Sequence, residues 1–256
     1  VTSDKKKAPS NRVVILGALS AIAIATARIY AKEGAAIMLV ARNQERLTGL
    51  ANDLRARGAV QVETAVMDLE AGANEAVKHM ESWKSLLGGI SHVHVIYGYL
   101  GKQETASSDP AELTRITSSN YTTAIHWCEA AANIFRAQKS GSLVVVSSVA
   151  GDRGRQSNYA YGAAKGAIAL YTQGLAHSLA GTGARAVAVK PGFVDTPMTD
   201  GMKKGGAMWA SPEKVGAILR RAADRGGPIQ YAPGIWRMIM MVIRTVPAFV
   251  FHKTKL

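Results

Sequence analysis

The feature that most constrains this chain is a regular alternation between short runs rich in Val and Ile and longer stretches that tolerate helix. The runs lie at 13–16, 36–41 (AIMLVA), 60–67 (VQVETAVM), 92–97 (HVHVIY), 142–147 (SLVVVS) and 184–189 (ARAVAV), with a last short one at 228–232 (PIQYA). Helix-compatible stretches occupy 20–33, 43–57, 70–87, 109–138, 158–180 and 211–224. Continuous rather than alternating apolar runs predict strands buried on both faces, and strict strand–helix order predicts right-handed parallel crossovers. The expected fold is α/β, a doubly wound parallel sheet of about seven strands. With no internal repeat and no Pro/Ser-rich linker, residues 12–232 read as a single domain.

Composition narrows the classes. At 256 residues, 48% hydrophobic and 19% charged, the chain has the make-up of a packed globular protein, which excludes a mostly disordered one. A single cysteine, Cys128, excludes an intramolecular disulfide framework and any zinc site built on several thiolates, so a reducing cytoplasm is the expected compartment. Residues 5–28 imitate a secretory signal: a basic start, then an apolar run from Val13 to Ala27. That run divides into a β-rich piece (Val13–Leu16), Gly17 and an alanine-rich helical piece continuing through Arg28, Lys32 and Glu33. It therefore reads as strand, turn and helix, preceded by a flexible arm over 1–11.

In such a sheet the turn after the first strand is where backbone N–H groups and a helix N-terminus meet a phosphate. Here it reads Gly17-Ala18-Leu19-Ser20-Ala21-Ile22-Ala23. A second feature lies in 142–176, where Tyr161 and Lys165 are four apart and Ser148 ends the preceding strand thirteen residues upstream. Four helical residues advance about 400°, so the phenol and the ammonium project from one face. A nearby ammonium stabilises phenolate, so the pairing predicts a lowered Tyr161 pKa and a phenol able to exchange a proton with a substrate oxygen. Tyr159 has Ala163 at the corresponding position and lacks that partner.

These features together resemble the short-chain dehydrogenase/reductase family over residues 12–232. The turn is similar to its T-G-x-x-x-G-x-G motif, with Gly17 as first glycine and Ala21 and Ala23 in place of the others. The resemblance implies a Rossmann-type fold and NAD(P)-dependent carbonyl/alcohol oxidoreduction. Its catalytic residues would be Ser148 (substrate oxygen), Tyr161 (proton), Lys165 (also the nicotinamide ribose) and Asn120. In the family that asparagine kinks the fourth crossover helix and holds a relay water. Cofactor contacts would come from Gly17, Leu19, Ser20, Ala21 and Ile22 at the pyrophosphate, and from Asp68 and Leu69 near adenine. Gly98, and Pro191, Gly192, Val194 and Thr196 of the P-G-x-V-x-T motif, complete the set. The family's N-N-A-G appears as Val95-Ile96-Tyr97-Gly98, which places the packing of the central strands in question. Arg42, where an acidic residue would select NAD, favours NADP, although the Gly17 turn carries no second basic residue. The family also implies a homo-oligomer, dimer or tetramer, through 109–138 and 158–180. The substrate pocket would come largely from 193–215.

A net charge of +13 needs a place. Acidic residues stop at Asp224, leaving Arg225, Arg237, Arg244, Lys253 and Lys255 unopposed in a tail, 233–256, that is also apolar. A helix over 235–246 would set Trp236, Ile239, Met240 and Ile243 on one stripe and the two arginines on another side, ending at Pro247. Two alternatives stand: a helix lying in an anionic inner-membrane surface, or one packed on the body or a subunit interface over the active site. The tail and the alanine-bearing turn are similar to reductases of lipid-linked keto-sugars, the decaprenylphosphoryl 2-keto-sugar reductase type. That implies a lipid-linked or hydrophobic keto substrate. No aromatic-interleaved basic motif points to nucleic acid. The competing function is a non-catalytic interaction module whose alanines spoil cofactor binding.

Overall fold

The structure, a computed structural model, describes residues 9–201, 205–206 and 208–254. Most of the expected arm, residues 1–8, and the last two tail residues lie outside the described residues. The chain runs β1 (Arg12–Leu16), α1 (Ala21–Lys32), β2 (Ala36–Ala41), α2 (Gln44–Ala56), β3 (Gln61–Val66), α3 (Ala76–Leu87) and β4 (His92–Val95). Then follow α4 (Gln103–Ala106), α5 (Pro110–Thr117), α6 (Thr123–Gln138), β5 (Gly141–Val146), α7 (Tyr159–Ser178) and β6 (Ala184–Pro191). The last elements are β7 (Phe193–Val194), β8 (Trp209–Ala210), α8 (Pro212–Arg225), β9 (Ile229–Ala232), α9 (Ile235–Thr245) and α10 (Ala248–Phe251).

Seven strands form one parallel sheet in the order β3-β2-β1-β4-β5-β6-β9, the expected doubly wound topology. Alternate residues of β1 feed opposite faces: Val13 and Ile15 meet α1, α2 and α8, whereas Val14 and Leu16 meet α3, α6 and α7. Both faces are buried and mainly apolar, and each fully buried Val, Leu or Ile contributes about 1.5–3 kcal/mol. All C-terminal strand ends point to one edge, where a cleft opens.

Three departures from the sequence reading matter. The stretch 109–138 is two helices joined by a π-helical turn, Ser118–Thr122, that contains Asn120. The stretch 70–87 opens with a separate tight turn, Ala71–Glu75. The short pair β7 and β8 and the small helix α4 carry no periodic signal and went unpredicted. Val95 and Ile96, standing where the family has asparagines, are buried, and Tyr97, in place of the alanine, is half-buried with its hydroxyl 3.3 Å from Thr123 Oγ1, so apolar and aromatic side chains fill the central-strand packing.

The tail helix α9 packs on the body. Trp236 and Met240 are buried against Val149, with Phe193, Tyr231, Ile239 and Ile243 around them. Arg153 caps its end, donating to the carbonyls of Ile243 (2.8 Å) and Val246 (2.6 Å), with its guanidinium over the Phe251 ring. Far from the cleft, two buried histidines join the sheet to α1 and the chain entry. His94 Nε2 lies 2.9 Å from Tyr30 Oη, and His92 lies 2.7 Å from Ser142 Oγ and 3.0 Å from Asn11 Oδ1. Burial, aided by the Arg220 charge, depresses His92 to about 4, and burial holds His94 well below the usual histidine range.

Candidate active site

The first turn is shaped by Gly17. Its φ is +82°, and a Cβ there would stand 2.7 Å from Ile96 O and from Tyr97 Cβ, so both conformation and space require glycine. Ser20 caps α1, accepting from Ala23 N at 3.2 Å and donating to Ile96 O at 3.3 Å. Ala21 begins the helix with ordinary helical angles, as a residue with a Cβ must. Among the described residues, the N–H groups of Leu19, Ala21 and Ile22 have no hydrogen-bond acceptor, and all three residues line the cleft. Free donors at a helix N-terminus fit an anion such as a pyrophosphate.

Ser148, Tyr161 and Lys165 are brought together by glycines. A Cβ on Gly162 would lie 2.7 Å from Ala150 O, and one on Gly166 would lie 2.9 Å from Gly151 O. These two glycines, four apart on α7, let the turn after Ser148 rest on the helix backbone beside Tyr161. Lys165 Nζ donates to Val146 O at 3.0 Å and stands 5.8 Å from the Tyr161 ring centroid. Gly98 opens the space behind: a Cβ there would be 2.5 Å from Asn120 Oδ1 and 3.1 Å from Lys165 Nζ. Asn120 is not a wall residue. It is buried in the π-helical turn, where its amide donates to Tyr99 O (2.6 Å) and Ile116 O (2.8 Å) and accepts from Tyr99 N (3.2 Å). Tyr159 faces away, half-exposed, with its hydroxyl 3.0 Å from Ser107 Oγ.

The electrostatics correct one expectation. Tyr161 is not lowered: burial pushes it up to about 12, and the Ser148 hydroxyl offsets only part of that rise. Lys165 is itself buried, which brings its ammonium down to about 8 and weakens it as a counter-charge. The phenol of the free site is therefore protonated at neutral pH.

At the other end of the cleft, Arg42 Nη1 lies 3.8 Å from Asp68 Oδ2, both side chains exposed. Asp68 also accepts from Glu70 N at 2.8 Å, and Leu69 O accepts from Trp127 Nε1 at 2.9 Å, which fixes this corner. Arg46 joins them, its Nη2 3.4 Å from Leu19 O. It is the second basic residue that the Gly17 turn itself lacks, delivered from the first turn of α2. Gly192 and Pro191 continue β6 into the wall, followed by Val194 and Thr196. Gly192 is required by the tail: a Cβ would lie 1.8 Å from Trp236 Nε1. The whole cleft holds about 570 Å³. Besides Arg46, sequence reasoning missed Arg155 and Asn158, which line the wall between Ser148 and Tyr161. A loop of polar residues gives no periodic signal by which to find them.

Comparison with known proteins adds relatives to this geometry. The family model described as short chain dehydrogenase matches residues 11–206. An uncharacterized oxidoreductase of Mycobacterium tuberculosis (strain ATCC 25618 / H37Rv) is 36% identical over 244 residues, covering 94% of this chain and 96% of the relative. An uncharacterized oxidoreductase of Streptomyces coelicolor is 32% identical over 249 residues, 96% of each. Among solved structures, gox2181 superposes with a TM-score of 0.80 at 22% identity, over 89% of this chain and 96% of that one. A variant of actinorhodin polyketide ketoreductase, solved with NADPH, gives 0.76 at 21% identity over 87% and 95%.

Proposed function

Because the chain belongs to the short chain dehydrogenase family and is an NAD(P)-dependent oxidoreductase of that kind, we propose that it interconverts a carbonyl and an alcohol with Tyr161 as proton donor and acceptor. The observation carrying this reading is the convergence of Ser148, Tyr161 and Lys165 on one cleft, across from unpartnered N–H groups at the first turn. A nicotinamide cofactor, when bound, supplies or accepts the hydride. Leu19, Ala21 and Ile22 would hold its pyrophosphate, and Lys165 its ribose. Ser148 orients the substrate oxygen by a hydrogen bond, and Tyr161 delivers its phenolic proton to that oxygen in the reductive direction. A bound substrate anion developing beside the phenol lowers the cost of that transfer, and Lys165 keeps positive charge behind it. Asn120, one layer back, holds the backbone at Tyr99 and Ile116. Tyr161→Phe should abolish NADPH oxidation with a carbonyl substrate while leaving NADPH affinity unchanged. Retained turnover would reject the mechanism, and failure of both NADPH and NADH to bind at millimolar concentration would favour the non-catalytic module instead.

Within the same reading, NADP is the preferred cofactor, supported by Arg42 and Arg46 flanking the corner after β2. The substrate is hydrophobic, lipid-linked substrates included, supported by Leu100, Val149, Phe193 and Met198 on the wall.

The tail supports a further part of the proposal, peripheral contact with an anionic membrane. The stripe Trp236/Met240 is spent on the body, but the outward side of α9 exposes Ile235, Met238, Met241 and Val242, and Phe249 follows at 70% exposure. Arg237 and Arg244 flank that apolar side, and no acidic residue follows Asp224. No described helix is long and apolar enough to cross a membrane, so the contact is a surface one. Cosedimentation with anionic vesicles should exceed that with neutral ones and fall for Met241→Glu; equal binding would reject it. Assembly as a homo-oligomer through α5, α6 and α7 is supported by exposed Leu113 and Leu170, and sedimentation velocity tests it.

A further inference from the structure

We infer that Arg155 is the binding point for an anionic group, a carboxylate or a phosphate monoester, on the substrate of this site. The inference rests on the carbonyl/alcohol oxidoreductase reading above. Arg155 lies in the loop between Ser148 and Tyr161 and lines the same cleft. Among the described residues its side chain makes no hydrogen bond and no ion pair, and its Nε is enclosed without an acceptor. The nearest carboxylate along the chain, Asp152, is committed elsewhere: it is ion-paired with buried Lys190 and accepts from Tyr231 Oη at 2.7 Å. Three residues on, Asn158 Oδ1 is enclosed and unpartnered on the same wall. Buried polar groups in folded proteins nearly always find partners, so two residues of one cleft wall that each carry an orphan atom mark where a ligand's polar atoms belong. A guanidinium is the donor best suited to a planar or tetrahedral oxyanion. Burial lowers Arg155 somewhat from its ordinary value, but arginine stays charged at any working pH.

The cofactor phosphate that Arg42 and Arg46 would hold does not account for it. Arg42 and Arg46 follow β2 and Asp68 follows β3, whereas Arg155 follows β5, three strands across the sheet from β2. At about 4.8 Å per strand that is about 14 Å, too far to share one phosphate. The cleft lining also includes apolar Leu100, Val149, Phe193 and Met198, and no carboxylate apart from Asp68 and Glu70 beyond β3. The matching substrate is therefore a carbonyl compound with an apolar body and one anionic group.

The test uses the full chain saturated with NADP⁺. Side-chain ¹⁵N–¹H spectra follow the Arg155 Nε–H signal, assigned by its loss in Arg155→Lys. Levulinate, inorganic phosphate and neutral 2-pentanone are titrated separately. The signal should move with levulinate, with phosphate or with both, which distinguishes the two sources, and stay still with 2-pentanone. Arg155→Gln should weaken the effective anion about tenfold or more by calorimetry and leave NADP⁺ affinity unchanged. A signal unmoved by either anion at tens of millimolar overturns the inference while the oxidoreductase reading stands. Equal weakening of NADP⁺ in Arg155→Gln also overturns it, by making Arg155 a cofactor residue. Failure of the wild-type chain to bind NADP⁺ overturns the parent reading and this inference with it.

Discussion

Replacing Gly192 with alanine should undock the tail helix, and the size of the effect follows from contacts already given. The φ of Gly192 lies outside the left-handed region, so alanine is conformationally acceptable there and only space is at issue. The added Cβ would stand 1.8 Å from Nε1, 1.9 Å from Cε2 and 2.5 Å from Cδ1 of Trp236. Ordinary carbon contacts begin at about 3.5 Å, so the indole would have to retreat by about 1.6 Å. It has nowhere to go: Phe193 meets it edge-on at 5.4 Å between centroids, and its Nε1 donates to Met208 O at 3.2 Å. The ring is therefore expelled, and the cost approaches that of deleting a buried tryptophan, about 3–5 kcal/mol. For a domain of this size that is a fall of about 6–20 °C in Tm. Trp236→Ala should cost a similar amount, but in that background Gly192→Ala should cost under about 1 kcal/mol, because the obstacle is gone. Thermal and urea unfolding of the four variants gives the coupling, expected near −3 kcal/mol. Additive effects, or a Gly192→Ala Tm within about 2 °C of wild type, would refute the packing argument.

The other predictions concern the site and the buried histidines. Gly98→Ala should displace Asn120 and Lys165 and lower kcat about a hundredfold or more, with the far-UV spectrum unchanged; stopped-flow NADPH oxidation reads it. On the proposed NADP reading, Arg42→Ala and Arg46→Ala should each weaken NADPH about tenfold and leave NADH affinity unaltered by calorimetry, since each would remove one charge-assisted contact to the extra phosphate. His92 is depressed to about 4 in the folded chain against about 6.5 unfolded, so the unfolded state binds the extra proton between those values. Stability is then complete above pH 6.5 and lost as pH falls towards 4, by about 3 kcal/mol from this residue. Urea midpoints across that window check it, and His92→Asn should reduce the slope, leaving the part due to His94.

Much of this was legible in the sequence because the sheet is buried on both faces, which writes β1, β2 and β5 as unbroken apolar runs. The grouping of Ser148, Tyr161 and Lys165 in one cleft was legible because they are local in sequence, within one strand–loop–helix unit. What was illegible depends on distant chain segments. Arg46 reaches the first turn only because α2 starts there, and Gly192 takes its meaning from an indole 44 residues later. The Tyr161 shift was misjudged for the same reason: the local rule weighs Lys165, but the enclosure that dominates is built by the whole fold. The π-helical turn around Asn120 breaks a stretch whose composition favours helix throughout, and no residue pattern marks it.

The contacts of Gly162 and Gly166 with the turn after Ser148 have a consequence for how this chain can diverge. They fasten residues 148–151 to α7 by backbone alone, and Arg153 and Asp152 anchor the next two positions to the tail and the sheet edge. The segment 154–158, which carries Arg155 and Asn158, is thus a short span hung between fixed posts. Exchanging its residues should leave Tyr161 and Ser148 in place. On the proposed reading, selectivity would be detachable from chemistry, and grafting a different five-residue span is the natural way to retarget it.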